Sequence, residues 1–219
     1  MYIEIMETPK NPVSIDYRIR EGLARIAMAM RLDDWNKAKG MGLNPTQLAI
    51  LSLLLGREAG LGVKDIAAHL GVSQPTATDS INALERKGYL EKQPGQSDRR
   101  AVIVALTAEG LAAARVEDSE PGLAEQALKA LDGGEQEALL LTLVKMIRQL
   151  QEAGEIPVQR MCVTCRYFAP FMHADAARPH HCHFVNAPFG QRELRVDCRD
   201  HQQADPTSRA ATWETFQAG

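Results

Sequence analysis

Residues 71–90, GVSQPTATDSINALERKGYL, contain the signals that decide the fold of this chain. Gly71 can adopt the left-handed conformation that ends a helix, and Ser73 can cap the helix that follows. The apolar pattern predicts a short helix over residues 63–70 before this turn and a longer helix over residues 74–87 after it. A helix, a tight glycine turn and a capped helix in this order indicate a helix-turn-helix.

The flanking segments extend this motif to a winged helix. Residues 89–93 and 101–106 are strand-like, and the polar loop between them begins with turn residues, which predicts a hairpin with a charged tip. Amphipathic patterns predict long helices over residues 14–38 and after Asp132. Because their apolar faces exceed what one short domain can cover, we expect a twofold dimer. Packing within a single chain is the alternative.

The same residues resemble a known family of regulators. Residues 71–76 (GVSQPT), 83–90 (ALERKGYL), 97–102 (SDRRAV) and 106–110 (LTAEG) resemble the multiple antibiotic resistance regulator (MarR) family, and the likeness extends over about residues 14–154. The resemblance implies a homodimer whose terminal helices intertwine. It also implies that two winged heads read a pseudo-palindromic operator in double-stranded DNA, usually as a repressor released by a ligand or by oxidation.

The helix-turn-helix frame predicts which residues contact DNA. A recognition helix presents its N-terminal residues to base edges in the major groove, while the wing reaches the adjacent minor groove. A glutamine can bond an adenine edge in two places, and a threonine can contact a thymine methyl or a phosphate. The family pattern implies that Asp98 braces Arg100 in the minor groove, with Arg99 and Lys87 as phosphate contacts. The predicted DNA-binding residues are Ser73, Gln74, Pro75, Thr76, Thr78, Lys87, Asp98, Arg99 and Arg100.

The composition is that of an ordinary soluble protein, with 45% hydrophobic residues and a formal net charge of -3. No stretch approaches the roughly 18 apolar residues of a membrane span, and the N-terminus lacks a signal-peptide pattern. We therefore expect a cytoplasmic protein without a membrane partner. The sequence also lacks a phosphate-binding glycine loop and a serine-nucleophile motif, so we do not expect an enzyme.

All four cysteines lie in one segment downstream of the winged helix, at Cys162, Cys165, Cys182 and Cys198, together with five of the six histidines. In a reducing compartment such clustering favours metal ligation or redox sensing over disulfides. The segment is rich in histidine, proline and aromatic residues and has no sustained helical period, so it needs a staple to fold. We predict that the four thiols bind a metal centre.

Two kinds of metal centre fit the spacing C-x2-C-x16-C-x15-C. The spacing and the aromatic residues after the first pair and after the third cysteine resemble the high-potential iron-sulfur proteins, which implies a [4Fe-4S] cluster. Structural zinc is the alternative, with residues 198–201 as a second knuckle in which His201 replaces Cys182 as a ligand. His181 is a further candidate for a substitute or outer ligand. We favour the iron–sulfur cluster.

The sequence thus predicts a mainly α fold with a small β wing, in three parts. These are a MarR-like winged helix-turn-helix with dimerisation helices over residues 1–154, a small irregular metal-stapled extension over residues 155–205 and a flexible tail over residues 206–219. The alternative for this tail is docking through Trp213 and Phe216. We expect a sequence-specific transcriptional regulator, a dimeric repressor whose operator binding depends on the metal or redox state of the cysteine site.

Two other functions stay open at this point. The first is a regulator of the same family with a purely structural zinc and a small aromatic effector. The second is a thiol-disulfide redox enzyme that uses Cys162 and Cys165, although the strand and helix alternation of a thioredoxin-like fold does not surround this pair.

Overall fold

The computed structural model describes residues 14–95, 101–116 and 121–219. The helices are α1 (Ile15–Gly40), α2 (Pro45–Leu54), α3 (Val63–Leu70), α4 (Gln74–Arg86), α5 (Ala108–Val116), α6 (Leu123–Leu128), α7 (Gly133–Glu152) and α8 (Pro206–Ala218). The strands are β1 (Leu61–Gly62), β2 (Leu90–Pro94), β3 (Val102–Leu106), β4 (Phe168–Ala169), β5 (His180–Cys182) and β6 (Ala187–Phe189). They form two antiparallel sheets in the orders β1-β3-β2 and β4-β5-β6. In the part of the chain that is described, no helix is long and apolar enough to cross a membrane.

The predicted helix-turn-helix and hairpin are confirmed. Helix α3 ends at Gly71, which has a φ of 63°, and the Oγ of Ser73 accepts a hydrogen bond of 3.2 Å from the backbone N–H of Thr76 at the start of α4. Strands β2 and β3 pair in register over their full length. Strand β1 was not predicted, because a run of two residues is too short for an alternating pattern.

Helix α2 lies at the centre of the winged helix. It begins with a capping box, in which Asn44 and Gln47 exchange backbone-to-side-chain hydrogen bonds of 2.9 and 3.2 Å. Its apolar side chains, among them Leu51 and Leu54, are buried in one cluster with Ile81 and Leu84 of α4. The position of the helix that follows the turn is therefore set by packing against α2.

The extension after residue 154 has its own core and is more regular than predicted. Strands β4, β5 and β6 form its sheet, and Met161, Val163 and Phe168 are buried in a second cluster with Val144 of α7. The strands are only two or three residues long, so the sequence pattern could not show them. The extension is thus packed onto the last helix of the winged-helix part rather than linked loosely to it.

The prediction of a flexible tail over residues 206–219 is wrong. These residues form α8, which Asp205 caps by accepting hydrogen bonds from the N–H groups of Thr207 and Ser208. Phe216 is buried at 5% exposure against aromatic rings of the extension, including Phe168 at 5.9 Å between ring centroids. Phe216 thus docks, which was the alternative for this segment. Its contacts come from distant residues, so the weak apolar period of the segment did not predict a helix.

Helix α7 uses its two sides differently. Val144 and Gln151 are buried on the side that faces the extension, whereas Leu139, Met146 and Leu150 are 37 to 44% exposed. Packing within the chain therefore accounts for one side of α7 and leaves the other apolar side open.

The seating of Phe216 predicts the effect of truncating this side chain. Replacing a buried phenylalanine by alanine removes its transfer free energy and leaves a cavity, so Phe216→Ala should lower the free energy of unfolding by about 3–5 kcal/mol. Denaturant unfolding of the extension, followed by near-ultraviolet circular dichroism, measures this loss. Met172→Ala is the matched control, because Met172 lies in the same extension and is 56% exposed. Equal midpoints for the two variants would contradict the docking of α8.

Candidate nucleic-acid interface and four-thiol site

The N-terminal turns of α4 expose a row of polar side chains. Gln74, Thr76 and Thr78 are exposed, as is Pro75, while Ala77 points into the core. Since Ile81 and Leu84 are also buried, one face of α4 packs on the domain and the other is open along its first two turns. The residues predicted to read bases therefore lie together on an accessible helix end.

Two of the predicted contacts also have local roles. Ser73 caps α4, and its Oγ lies 2.8 Å from the Oγ1 of Thr76. The Nζ of Lys87 donates a hydrogen bond to the carbonyl oxygen of Gly42, which ties the end of α4 to the loop between α1 and α2. Ser73 thus orients the helix start, and Lys87 anchors its other end.

The charged tip of the wing, with the predicted contacts Asp98, Arg99 and Arg100, lies outside the described residues. The strands that carry it are described, and the Nζ of Lys92 on β2 lies 2.6 Å from a carboxylate oxygen of Glu85 on α4. The wing is thereby held against the end of α4.

Helix α1 exposes apolar side chains along most of its length. Its stripe of predicted dimer residues is open to solvent, with Ile26 at 48% and Met30 at 52% exposure. Trp35 is 58% exposed on another side of the helix. The exposed apolar residues of α1 are Ile15, Tyr17, Ile19, Leu23, Ile26, Met28, Met30, Leu32 and Trp35. This amount of apolar surface on one helix indicates an interface.

The four cysteines converge on one cavity of about 140 Å³. Cys162 and Cys165 stand at the two ends of a short 3-10 turn, and Cys182 ends β5. Cys198 lies in the segment between β6 and α8. Within the described residues all four thiols are free. The rest of the cavity wall is mainly apolar and consists of Tyr167, Phe168, Phe184, Val185, Ala187 and Phe189, with Glu193, Arg195 and Asp200 as its polar members.

Backbone hydrogen bonds hold the four cysteines in place. The N–H of Cys162 donates to the carbonyl oxygen of Arg195 at 3.0 Å, and the N–H of Cys198 donates to that of Arg160 at 2.8 Å. Cys182 is fixed by its antiparallel pairing with Phe168. Segments far apart in the chain therefore bring the thiols to the same wall.

Burial and one arginine set the electrostatics of the thiols. Burial raises the pKa of the Cys162 thiol to about 11, although the hydrogen bond from the backbone N–H of Arg195 acts in the opposite direction. The guanidinium of Arg195 lies 3.6 Å from the Sγ of Cys198, and this contact raises the pKa of Arg195. Arg195 was not among the predicted site residues, because its only signal in the sequence is its position three residues before Cys198.

The histidines named as substitute ligands lie away from the cavity wall. The Nε2 of His201 lies 3.0 Å from the Oγ1 of Thr164, and burial lowers the pKa of His201. The Nδ1 of His181 lies 3.1 Å from the Nε2 of His173. His180 belongs to the core, since it is fully buried among phenylalanine rings.

The thiols line a common cavity without closing on a single point. Among the described residues, no three side chains of histidine, cysteine, aspartate or glutamate are grouped closely enough to hold one metal ion. A zinc site would need thiolates grouped at about 2.3 Å from a single ion. The four cysteines share one cavity whose remaining wall is mainly aromatic and apolar.

Comparison with known proteins locates the similarity in the winged helix. Residues 41–101 match a model of the MarR family. The chain is 31% identical over 86 residues to the uncharacterized HTH-type transcriptional regulator YfiV of Bacillus subtilis, covering 39% of this chain and 48% of that protein. It is 30% identical over 93 residues to the transcriptional repressor MprA of Escherichia coli, covering 40% and 53%. The chain thus spans about half the length of the curated relatives it matches.

Solved structures agree over a longer region. The transcriptional regulator SlyA superposes with a TM-score of 0.54 at 25% identity, covering 63% of this chain and 96% of that one. FabT of Streptococcus pneumoniae in complex with DNA superposes with a TM-score of 0.53 at 22% identity, covering 63% and 99%, which supports the fold alone. Residues 41–101 are thus similar in sequence to the MarR family, and the chain shares the winged-helix fold of solved transcriptional regulators. The relatives that it matches by name are transcriptional regulators.

Proposed function

We propose that this protein is a dimeric repressor that reads a pseudo-palindromic operator with α4 and the wing. The observation that carries the proposal is the exposed N-terminal end of α4, where Gln74, Thr76 and Thr78 are accessible on a helix whose other face is buried. This is the presentation that a recognition helix needs for contact with base edges in the major groove. A relative of similar sequence is named a transcriptional repressor, which supports the direction of regulation.

The exposed apolar surfaces support a twofold dimer. Helix α1 and the open side of α7 both carry apolar residues that packing within the chain leaves uncovered, such as Ile26 and Leu150. A second copy of the chain would cover both surfaces with one symmetric interface. The dimer would also supply the second recognition helix that a pseudo-palindromic site requires.

We further propose that the four-thiol cavity holds an iron–sulfur cluster whose state modulates operator binding. Cys162, Cys165, Cys182 and Cys198 would be its ligands, and the cluster would supply a charge that changes with oxidation state. Two features support this centre over zinc, namely that all four thiols, including Cys182, line the cavity of about 140 Å³, and that no three ligand-type side chains among the described residues are grouped for a single ion. The N–H of Arg195 already points at the sulfur of Cys162, as expected for a group that stabilises a thiolate ligand.

Gln74 offers the sharpest test of base reading. An operator would first be selected with the wild-type protein from random duplex DNA. Gln74→Ala should then lose about 1–3 kcal/mol of discrimination at one base pair in each half-site, because a bidentate contact to an adenine edge is removed. Titrations with the selected site and with single-base variants measure this loss. Gln217→Ala, an exposed glutamine on α8, is the control. If the two variants have identical base preferences, Gln74 does not read a base.

The dimer interface can be tested on α1. Ile26→Asp places a charge in the exposed apolar stripe and should shift the protein from dimer to monomer in sedimentation velocity, because an unpaired charge is costly to bury. Asn36→Asp is the matched control, since it adds the same charge to an exposed polar position of the same helix. If Ile26→Asp sediments like the control, the stripe is not the interface.

The cluster and zinc interpretations differ at Cys182 and His201. With a four-cysteine cluster, Cys182→Ser should lose most of its iron and sulfide, while His201→Ala keeps them. With a zinc site that uses residues 198–201, His201→Ala should lose the metal and Cys182→Ser should keep it. Metal and sulfide analysis, with visible absorption of protein purified without oxygen, separates the two. A colourless protein with one zinc per chain would favour the alternative of a small aromatic effector, for which a cavity of about 390 Å³ between α2, Asp34 and Asp197 is available.

A further inference from the structure

Cys198 is flanked on both sides by residues that reach the winged helix. Asp197 pairs with Arg160, and Arg199 lies against Gly56, the glycine that follows α2. The N–H of Cys198 itself donates a hydrogen bond of 2.8 Å to the carbonyl oxygen of Arg160. The fourth cysteine of the cavity is thus connected to the end of α2 on either side.

Arg160 forms the polar half of this connection. Its guanidinium holds the carboxylate of Asp197 through two nitrogens, with the Nη2 to Oδ2 distance at 2.8 Å. The same guanidinium donates to the carbonyl oxygens of Gly56 at 2.9 Å and of Leu55 at 3.3 Å. The side chain of Arg160 is only 11% exposed, whereas that of Asp197 is 57% exposed, so the bonds to the carbonyl groups are the better shielded ones. They supply donors for carbonyl groups that the end of a helix leaves without partners in the helix.

Arg199 forms the steric half. A Cβ atom at Gly56 would lie 2.6 Å from the Cγ of Arg199, so the side chain of Arg199 packs on Gly56 where a larger residue would not fit. Gly56 also has a φ of 71°, which favours glycine. The turn after α2 and the segment around Cys198 are therefore packed against each other.

Helix α2 extends this connection to the recognition helix. Leu51 and Leu54, in the last turns of α2, are buried in one cluster with Ile81 and Leu84 of α4. A shift of the end of α2 changes the surface on which α4 rests, because closely packed cores move as units.

We propose that Arg160 and Asp197 are positioning residues that couple occupancy of the four-thiol cavity to α2 and thereby to α4. The proposal rests on the proposed function, in which Cys198 is a ligand. When the Cys198 thiolate is held, the segment 197–199 is held with it, and Asp197 keeps Arg160 aimed at the carbonyl groups of Leu55 and Gly56. When the thiolate is released, this segment gains freedom and the end of α2 loses its donors. A coupling of the usual size would change operator affinity by about 10- to 100-fold.

The test compares each protein as purified without oxygen with the same protein stripped of iron. Asp197→Asn and Arg160→Gln should keep their iron and sulfide but reduce the ratio of operator Kd values between the two forms to near 1. Arg160→Lys should restore only part of the ratio, because a lysine cannot bond both carboxylate oxygens and both carbonyl groups at once. Asp175→Asn is the matched control, since Asp175 forms an exposed ion pair with Arg178 in the same extension. The control should behave as wild type.

Hydrogen exchange of the backbone amides of residues 55–57 gives a second readout that needs no DNA. In the wild type, removal of iron should speed this exchange, and in Asp197→Asn the exchange should be fast in both forms. The proposed coupling would be overturned if Asp197→Asn and Arg160→Gln kept the wild-type ratio of operator Kd values. It would also be overturned if amides 55–57 exchanged equally fast in both wild-type forms. If removal of iron leaves the wild-type operator Kd unchanged but speeds the exchange of amides 55–57, the coupling to α2 stands. The proposed metal control of DNA binding is then wrong.

Discussion

The burial of α2 is the constraint on which the rest of the structure depends. Leu48, Ile50, Leu51 and Leu54 are at most 2% exposed, although the helix has only ten residues. It contacts α1, α3, α4, α5 and strand β3, so most of the winged helix packs on it. A displacement of α2 is therefore transmitted to these neighbours, because closely packed side chains move together. The orientation of α4 relative to α1 therefore depends on the position of α2, which packs against both helices.

Local signals explain why the winged helix could be predicted from sequence. Ser73 caps α4, Asn44 caps α2 and Asp132 caps α7, and the side chain of each accepts a hydrogen bond from a backbone N–H in the first turn of its helix. Caps and glycine turns act over a few residues, so their sequence signal is complete in a short window. Residues 71–90, which indicated the fold, contain such local signals, and the match to the family model over residues 41–101 includes them.

The extension was harder to predict because its stabilising contacts connect distant residues. Phe216 and Trp213 give α8 only a narrow apolar face, and the helix is held by Phe168 and by Arg148 of α7, whose guanidinium lies 5.7 Å from the ring centroid of Trp213. Arg160 lies 37 residues from its carboxylate partner. No periodic pattern encodes such pairs, so their residues could be identified only from the folded chain.

Histidine shows the same limit at the candidate site. The sequence grouped five histidines with the cysteines, but grouping in sequence does not tell a ligand from a core residue. His180 is a buried side chain of the core, with its Nδ1 accepting a hydrogen bond from the N–H of Phe171 at 3.3 Å, and burial lowers its pKa. The cysteine spacing was the more informative signal, because a short turn and a strand end restrict where each thiol can lie.

The extension contacts the winged helix where it can affect both quantities that determine how a dimer would fit its operator. One is the position of α4 on its own domain. The hydrogen bonds from Arg160 to the carbonyl groups of Leu55 and Gly56 act on this position through α2. The other is the separation of the two recognition helices, which depends on the terminal helices, and the extension packs on α7 through Val144. Each operator complex would contain two copies of every such contact. If the two protomers act independently, an effect of about tenfold in each becomes about a hundredfold for the operator, since separate free energies add. Under the proposed function, a modest change at each thiol cavity would thus be large enough to switch the binding of a dimer to DNA.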